Sequence, residues 1–260
     1  MRSCLFPTEQ TMEIKIIRLD ETDSTNRFLH DYVPEEGEDI VVAVAGHQTA
    51  GRGQGNNSWE SEPGKNLLFS ILAHPTYVIP SRQFIISMAT ALALRDVLTQ
   101  EAGKGISIKW PNDIYWHDKK ISGTLIETAV CRQGIKRCII GIGININQEV
   151  FHSDAPNPVS LRNITGHDTE RESILQAIIN RFCFYMGMVE RGESAAIISL
   201  YHKALYRKEG FHAYCDSNGM FDAEIKDIEE NGRLLLRDRN GRLRGYFFKE
   251  VKFIINNKQT

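Results

Sequence analysis

The chain's clearest capacity for chemistry lies in Lys109-Trp110-Pro111-Asn112-Asp113 and, seven residues later, Lys120-Ile121-Ser122-Gly123. Two ammonium groups, an amide and a carboxylate are gathered there around a proline-stiffened turn. Upstream, residues 46–59 read Gly-His-Gln-Thr-Ala-Gly-Arg-Gly-Gln-Gly-Asn-Asn-Ser-Trp, a glycine-rich stretch with one arginine. A lysine beside an attacking carboxylate and a phosphate offsets charge that accumulates in the transition state, which is the role open to Lys120 and Lys109. Arg52 offers a planar donor fork matched to phosphate or carboxylate oxygens. Gly51, Gly53 and Gly55 let backbone N–H groups approach an anion closely. The combination is that of a site for a phosphate-bearing nucleotide and a small acid.

Each piece also has a plainer reading. A Gly-x-Gly-x-Gly loop alone is equally an exposed connection. It is not a dinucleotide fingerprint, because a strand rather than a helix follows, and no Gly-Lys-Ser/Thr marks a phosphate-binding P-loop. Asp113 and Glu127 are candidate Mg²⁺ ligands, directly or through water. Asn145, at the end of Gly141-Ile142-Gly143-Ile144-Asn145-Ile146-Asn147, is suited to reading an adenine edge or simply to forming a turn. Trp59 and Trp110 fit a core as well as a site.

The elements that must position these groups follow from periodicity. Apolar β-branched runs predict strands over 13–19, 40–45 and 66–72. Asp23-Ser24-Thr25-Asn26 supplies helix-start chemistry for 27–32. Residues 82–100 carry Phe84, Ile85, Met88, Leu92 and Val97 at helical spacing. Short strands at 106–110 and 113–116 flank Pro111, and 121–130 with 135–145 form a hairpin. Residues 148–158 read as a flexible polar loop, and helices follow over 171–190 and 194–206. Beyond 207 the texture changes: Asn218-Gly219, Asn231-Gly232 and Asn240-Gly241 punctuate short alternating segments, the signature of a small antiparallel β-barrel. The division expected is a leader over 1–12, a large domain over 13–206 and a small β domain over 207–260. The leader lacks signal-peptide character, and Met12 offers an alternative start.

Composition excludes several classes. The formal net charge of −2 gives no bulk attraction to nucleic acid or anionic membrane. No apolar run approaches the roughly 18 residues of a membrane span, and a cytoplasmic location is expected. Five cysteines (Cys4, Cys131, Cys138, Cys183 and Cys215) include no Cys-x-x-Cys pair, so reduced thiols are expected, with Cys131 and Cys138 near each other across the hairpin turn.

Five ordered segments carry a resemblance to the biotin protein ligases: Asp23-Ser24-Thr25-Asn26, Gln48-Thr49-Ala50-Gly51-Arg52-Gly53, Lys109 to Asp113, Lys120 to Gly123, and Gly141 to Asn145. The resemblance implies an α+β fold, a mixed and largely antiparallel sheet with helices like a class II aminoacyl-tRNA synthetase, plus a small C-terminal SH3-like β-barrel. It implies that biotin and ATP, with Mg²⁺, form biotinyl-5′-AMP and pyrophosphate. Biotin would then pass to a lysine of a biotin carboxyl carrier protein, or the biotinyl domain of a carboxylase such as acetyl-CoA carboxylase. Lys120 and Arg52 would be catalytic. Biotin would meet Ser24, Thr25, Asn26, Gln48, Gly51, Arg52, Gly53, Trp59, Lys120 and Gly123. The nucleotide would meet Arg52, Gln54, Trp59, Lys109, Asn112, Asp113, Lys120 and Asn145. Residues 49–59 and 148–158 would act as lids, with Phe151 over the adenine. Relatives often carry further arginines where this chain has Gln54, Asn56 and Asn57, so phosphate grip from the loop rests on Arg52 and backbone amides. Some relatives bind DNA through a preceding winged helix; the short leader speaks against that here. The rival readings are a lipoate ligase and a non-catalytic biotin-binding module; monomer and homodimer both stay open.

Overall fold

The computed structural model describes residues 13–55, 57–132, 134–152 and 157–255. The expected leader, Cys4, Asn56, Gln133 and residues 153–156 of the expected lid lie outside the described residues.

The chain begins β1 (Ile14–Thr22), α1 (Thr25–Asp31), β2 (Ile40–Gln48), β3 (Leu67–Ala73) and α2 (Phe84–Ala102). It continues through β4 (Ile106–Lys109), β5 (Asp113–Trp116), β6 (Lys119–Cys131) and β7 (Gly134–Ile144) to α3 (Leu161–Thr165), α4 (Arg171–Glu190) and α5 (Ser194–Lys203). Seven strands form one sheet in the order β1-β2-β3-β7-β6-β5-β4. All neighbours are antiparallel except β1 and β2, so the sheet is mixed and largely antiparallel, as expected. The parallel pairing, from Ile14 opposite Ile40 to Thr22 opposite Gln48, carries both strands past the apolar runs that predicted them. Polar ends such as Glu21 and His47 satisfy the ladder without a hydrophobic signal.

Side-chain alternation divides the sheet's two faces. Val42, Phe69, Ile71, Ile140, Ile142 and Ile144 join the large core beneath α2, α4 and α5. Val41, Ala43, Leu72 and Ile139 point the other way, under Leu29 of α1. Both faces of the central strands are covered, which explains continuous rather than alternating apolar runs. Helix α2 is buried nearly all round, from Phe84 to Leu98, as befits a helix inside a core. Helix α3 was not anticipated. Its cap is reciprocal: Ser160 Oγ accepts from the Asn163 amide at 3.1 Å, and Asn163 Oδ1 accepts from the Ser160 amide at 3.1 Å. Asparagine stands where the sequence rule looks for an acidic residue or glutamine.

A second sheet contains β8 (His212–Asp216), β9 (Gly219–Ile228), β10 (Leu234–Asp238), β11 (Leu243–Tyr246) and β12 (Lys252–Phe253) in the antiparallel order β11-β10-β9-β8-β12. Gly219, Gly232 and Gly241 take φ of 112°, 87° and 79° at the Asn-Gly connections, the conformation those dipeptides are chosen for. Strand β12 has only two residues and gave no sequence signal.

Trp110 ties the two sheets together. Its indole N–H donates to the Gly232 carbonyl at 3.0 Å, and its ring meets Phe248 edge-on at 5.4 Å. The following peptide bond, Trp110–Pro111, is cis, and the Pro111 carbonyl accepts from the buried Tyr201 hydroxyl at 2.8 Å.

Two expectations need correction. Cys131 faces Gly134 and Cys138 faces Thr128, so the hairpin register separates the two thiols; the four described cysteines are free. The segment beginning at Gln148 is not loose at its start. Gln148 is fully buried, accepting from Asn66 Nδ2 at 2.6 Å and from the Glu62 amide at 3.0 Å. Among the described residues no helix is long and apolar enough to cross a membrane.

Trp110→Phe keeps most of the apolar area but leaves the Gly232 carbonyl without its donor. The expected cost is about 1–3 kcal/mol in denaturant unfolding. A loss below about 0.5 kcal/mol, the scatter of neutral surface changes, would show that this bond does not couple the sheets.

Candidate functional site

On the α1 face of the large sheet the strands lose their side chains. Gly123 of β6 is paired with Gly143 of β7, and Gly141 is paired with Leu125 on one side and Ser70 on the other. The alternation that sends Ile140, Ile142 and Ile144 into the core sends Gly141 and Gly143 to this face, leaving a trough. It is already in use by the protein's own groups. A Cβ at Gly143 would collide with the Trp59 indole, and one at Gly123 would stand 2.9 Å from the same ring and 3.0 Å from Lys120 Nζ. A Cβ at Gly141 would collide with the Asn26 amide. The trough opens into a cavity of about 1320 Å³. A single drug-sized ligand needs roughly 300–1,000 Å³, so two small molecules fit side by side.

A polar network forms one wall. Gln48 Oε1 accepts from the Thr25 amide at 2.7 Å and from its hydroxyl at 3.0 Å. The Thr25 and Ser70 hydroxyls lie 2.6 Å apart, Ser70 donates to Asn26 Oδ1 at 2.6 Å, and Asn26 Nδ2 donates to Glu127 Oε2 at 2.7 Å. Thr25, Asn26 and Ser70 are buried, so the network is rigid and satisfied rather than solvated. Ser24 also faces the cavity. Ser70 was missed in the sequence; its signal is a lone hydroxyl inside the otherwise apolar β3.

Two ion pairs sit along the trough. Lys120 Nζ lies 2.7 Å from Asp113 Oδ1 and 5.7 Å from the centre of the Trp59 ring. Backbone bonds of 2.9 Å hold Lys120 in place, its N–H to the Asn157 carbonyl and its carbonyl to the Val159 amide. Arg52 reaches Glu127 at 3.3 Å. Arg52 and Lys120, expected to converge, do line one cavity. The two candidate Mg²⁺ carboxylates, Asp113 and Glu127, stand apart. The β5–β6 register sets Glu127 about four residues, ~13 Å, beyond the point opposite Asp113, whereas Mg²⁺ bonds are about 2 Å. Glu127 is also outside the cavity wall, spent on Arg52 and Asn26, and the described residues contain no cluster of three metal-binding side chains.

Lys109 is wedged between aromatic rings, its Nζ 5.2 Å from the centre of Tyr115 and 5.1 Å from that of Phe253. Burial pushes its ammonium below the ordinary lysine value, with Lys120 and Arg207 adding to the effect and the Asp113 carboxylate opposing it. It has no ion-pair partner among the described residues.

The glycine loop folds back on itself. Gly53 N donates to the Asn57 carbonyl at 2.7 Å and Trp59 N to the Gly51 carbonyl at 2.9 Å, closing a small hairpin with Arg52 bridged to Ser58. Gly51 sits at its base, off the cavity wall, where a Cβ would stand 2.7 Å from the Trp59 carbonyl. Gly53, Gln54 and Trp59 face the cavity. The indole N–H of Trp59 is buried with no acceptor among the described residues.

Asn112 and Asn145 face the cavity but spend amide donors on the scaffold, Asn112 on the Thr124 carbonyl at 2.7 Å and Asn145 on that of Val159 at 3.1 Å. Phe151 is also on the wall. The second sheet's contribution was not legible: Phe248, Lys249, Val251, Lys252 and Phe253 complete the cavity.

Known proteins share parts of this sequence and its fold. Residues 19–145 match the biotin/lipoate A/B protein ligase family. The bifunctional ligase/repressor BirA of Bacillus subtilis is 29% identical over 240 residues, covering 89% of this chain and 72% of its own length. The biotin–[acetyl-CoA-carboxylase] ligase of Paracoccus denitrificans is 28% identical, covering 85% of this chain and 93% of its own. Among solved structures, the Aquifex aeolicus biotin protein ligase in complex with biotin and ATP shares the fold with a TM-score of 0.76 at 24% identity, covering 92% of this chain and 99% of that one. The chain is thus similar in sequence to biotin ligases and shares the fold of a biotin protein ligase.

Proposed function

We propose that this chain is an ATP-dependent biotin protein ligase. One observation carries the reading: Lys120 with Asp113, Arg52 and Lys109 face a single cavity with room for two ligands, beside a fixed polar wall. Biotin lies in the cavity onto which the trough opens, its ureido group on the side of Thr25 and Gln48 and its carboxylate toward Lys120. A carboxylate oxygen attacks the α-phosphorus of ATP, and the bond to the pyrophosphate bridging oxygen breaks. The carboxylate is already nucleophilic, so the site supplies orientation and charge neutralisation rather than a base. In the second step a lysine amine of the acceptor attacks the acyl carbon, the bond to AMP breaks, and the amine loses a proton. Trp59, seated over Gly123 and Gly143, keeps water from the anhydride. Asp113, on the cavity wall, would be the carboxylate to help hold Mg²⁺, which would supply charge neutralisation on the ATP phosphates.

The acceptor in this reading is a biotinyl carrier domain, and the enzyme works in the cytoplasm. Residues 13–206 form the catalytic domain and 207–260 the small SH3-like β domain.

The test is pyrophosphate release from ATP with biotin or with lipoate, followed by labelled-biotin transfer to a carrier domain. Biotin-dependent release followed by transfer is expected. Release with lipoate alone would support a lipoate ligase, and binding without release would leave a biotin-binding module. Lys120→Ala is expected to lower adenylate formation by about 10²–10³-fold, as loss of one preorganised charge stabiliser does, with the fold intact. A rate within threefold of the parent would remove Lys120 from its role.

Lys109 gives a pH signature. Its ammonium is held below the ordinary 10.5, so the charge that attracts phosphate is present at lower pH and is lost on the way up, before a free lysine would lose it. The KM for ATP should therefore climb with alkaline pH in the parent and stay flat in Lys109→Arg, whose guanidinium keeps its proton. Parallel profiles would exclude Lys109 from nucleotide binding.

A further inference from the structure

The glycine loop brings one cation, Arg52, and that guanidinium is already engaged by Glu127 at 3.3 Å. Gln54, Asn57 and Ser58, polar members of the loop on the cavity wall, are uncharged. The second sheet delivers a charge to the same place. Lys249 lies in the connection between β11 and β12 with φ of 69°, an uncommon backbone conformation for a side-chain-bearing residue. Its ammonium rests directly on Gly55, whose φ of 72° turns the loop tip toward it, and a Cβ at Gly55 would collide with Nζ. Lys249 lines the cavity, as does Lys252 three residues on, and neither pairs with a carboxylate among the described residues. The Phe248 ring beside it is anchored on Trp110 and on Phe84, at 5.4 and 6.1 Å between ring centres.

We propose that Lys249 is the phosphate clamp this glycine loop lacks: its ammonium holds the polyphosphate of ATP beneath the loop and so docks the loop against the second sheet. The proposal rests on the reading of the cavity as a nucleotide site. Lys249 acts on the nucleotide, while charge stabilisation at the reacting carboxylate stays with Lys120. Phe248 supplies the fixed base from which a flexible, exposed side chain is aimed. The exposed ammonium, without a carboxylate partner among the described residues, packs against a loop tip bare of side chain and keeps its cavity-facing N–H donors for an oxyanion. Gly55 is required because any side chain there would push the ammonium away from the loop.

The test compares the full chain with Lys249→Ala, Lys249→Gln and Lys249→Arg. Calorimetric affinities for ATP and for inorganic pyrophosphate are read alongside KM for ATP, KM for biotin and kcat. Lys249→Ala and Lys249→Gln are expected to weaken ATP and pyrophosphate binding about ten-fold, the scale of one charge-assisted contact. KM for biotin and kcat should stay within about two-fold, and Lys249→Arg should restore binding; a purely structural role would not give that split or that rescue. Gly55→Ala should weaken ATP binding without adding to Lys249→Ala in the double variant. Unchanged ATP and pyrophosphate affinity, an equal rise in the biotin KM, or an arginine variant as weak as alanine would overturn the proposal. If the parent binds ATP but forms no adenylate, the ligase reading falls while the binding comparison still decides the clamp.

Discussion

The site depends on missing side chains. Gly123 and Gly143 face each other on adjacent strands, Gly141 is two residues along, and all three open onto the α1 face of the sheet. Adjacent strands lie only about 4.8 Å apart, so ordinary side chains there would fill the space with packed core, as Ile139, Leu72 and Leu29 do further along. Deleting three of them lets Trp59 lie on bare backbone and brings Lys120 and Asn26 over the same floor. Everything reactive in the molecule is arranged around that absence. Because the opposite face keeps Ile140, Ile142 and Ile144, the trough costs the main core nothing.

Rigidity comes from one polar wall beside the trough. From Gln48 to Glu127 each buried member of the chain Gln48–Thr25–Ser70–Asn26–Glu127 has a partner, which spans α1, β2, β3 and β6. A half-satisfied network would be costly, so these residues specify one arrangement of the elements as well as a binding wall. On the other side, Trp110 joins the turn carrying Asn112 and Asp113 to the second sheet, so the cavity and the contact between the sheets share a residue. Ion pairs Lys120–Asp113 and Arg52–Glu127 hold two cations ready while keeping the resting charge balanced.

Much of this was legible in the residues. Alternation in Ile140-Gly141-Ile142-Gly143-Ile144 announces a strand with one apolar and one bare face, and the Asn-Gly pairs mark the turns of the second sheet. Gly123 after Lys120-Ile121-Ser122 points to close approach. What escaped was non-local. Sequence shows the Glu127 carboxylate but not the Arg52 and Asn26 that engage it. Ser70 was hidden inside an apolar run, and its meaning appears only when α1 sets Asn26 and Thr25 against it. Lys249 and Phe253 lie more than 120 residues from the turn they serve, in a two-residue strand and its connection, where periodicity carries no signal.

The most direct measurement is biotin affinity by calorimetry for Gly143→Ala beside the parent chain, with denaturant unfolding to confirm the fold. One methyl group is added where the Trp59 ring now lies, on the face away from the main core. A trough that owes its existence to bare strands predicts biotin binding weakened by about ten-fold or more, with an unfolding cost of about 1–3 kcal/mol from displacing the Trp59 ring in a protein that stays folded. Unchanged biotin affinity in a folded Gly143→Ala protein would contradict it.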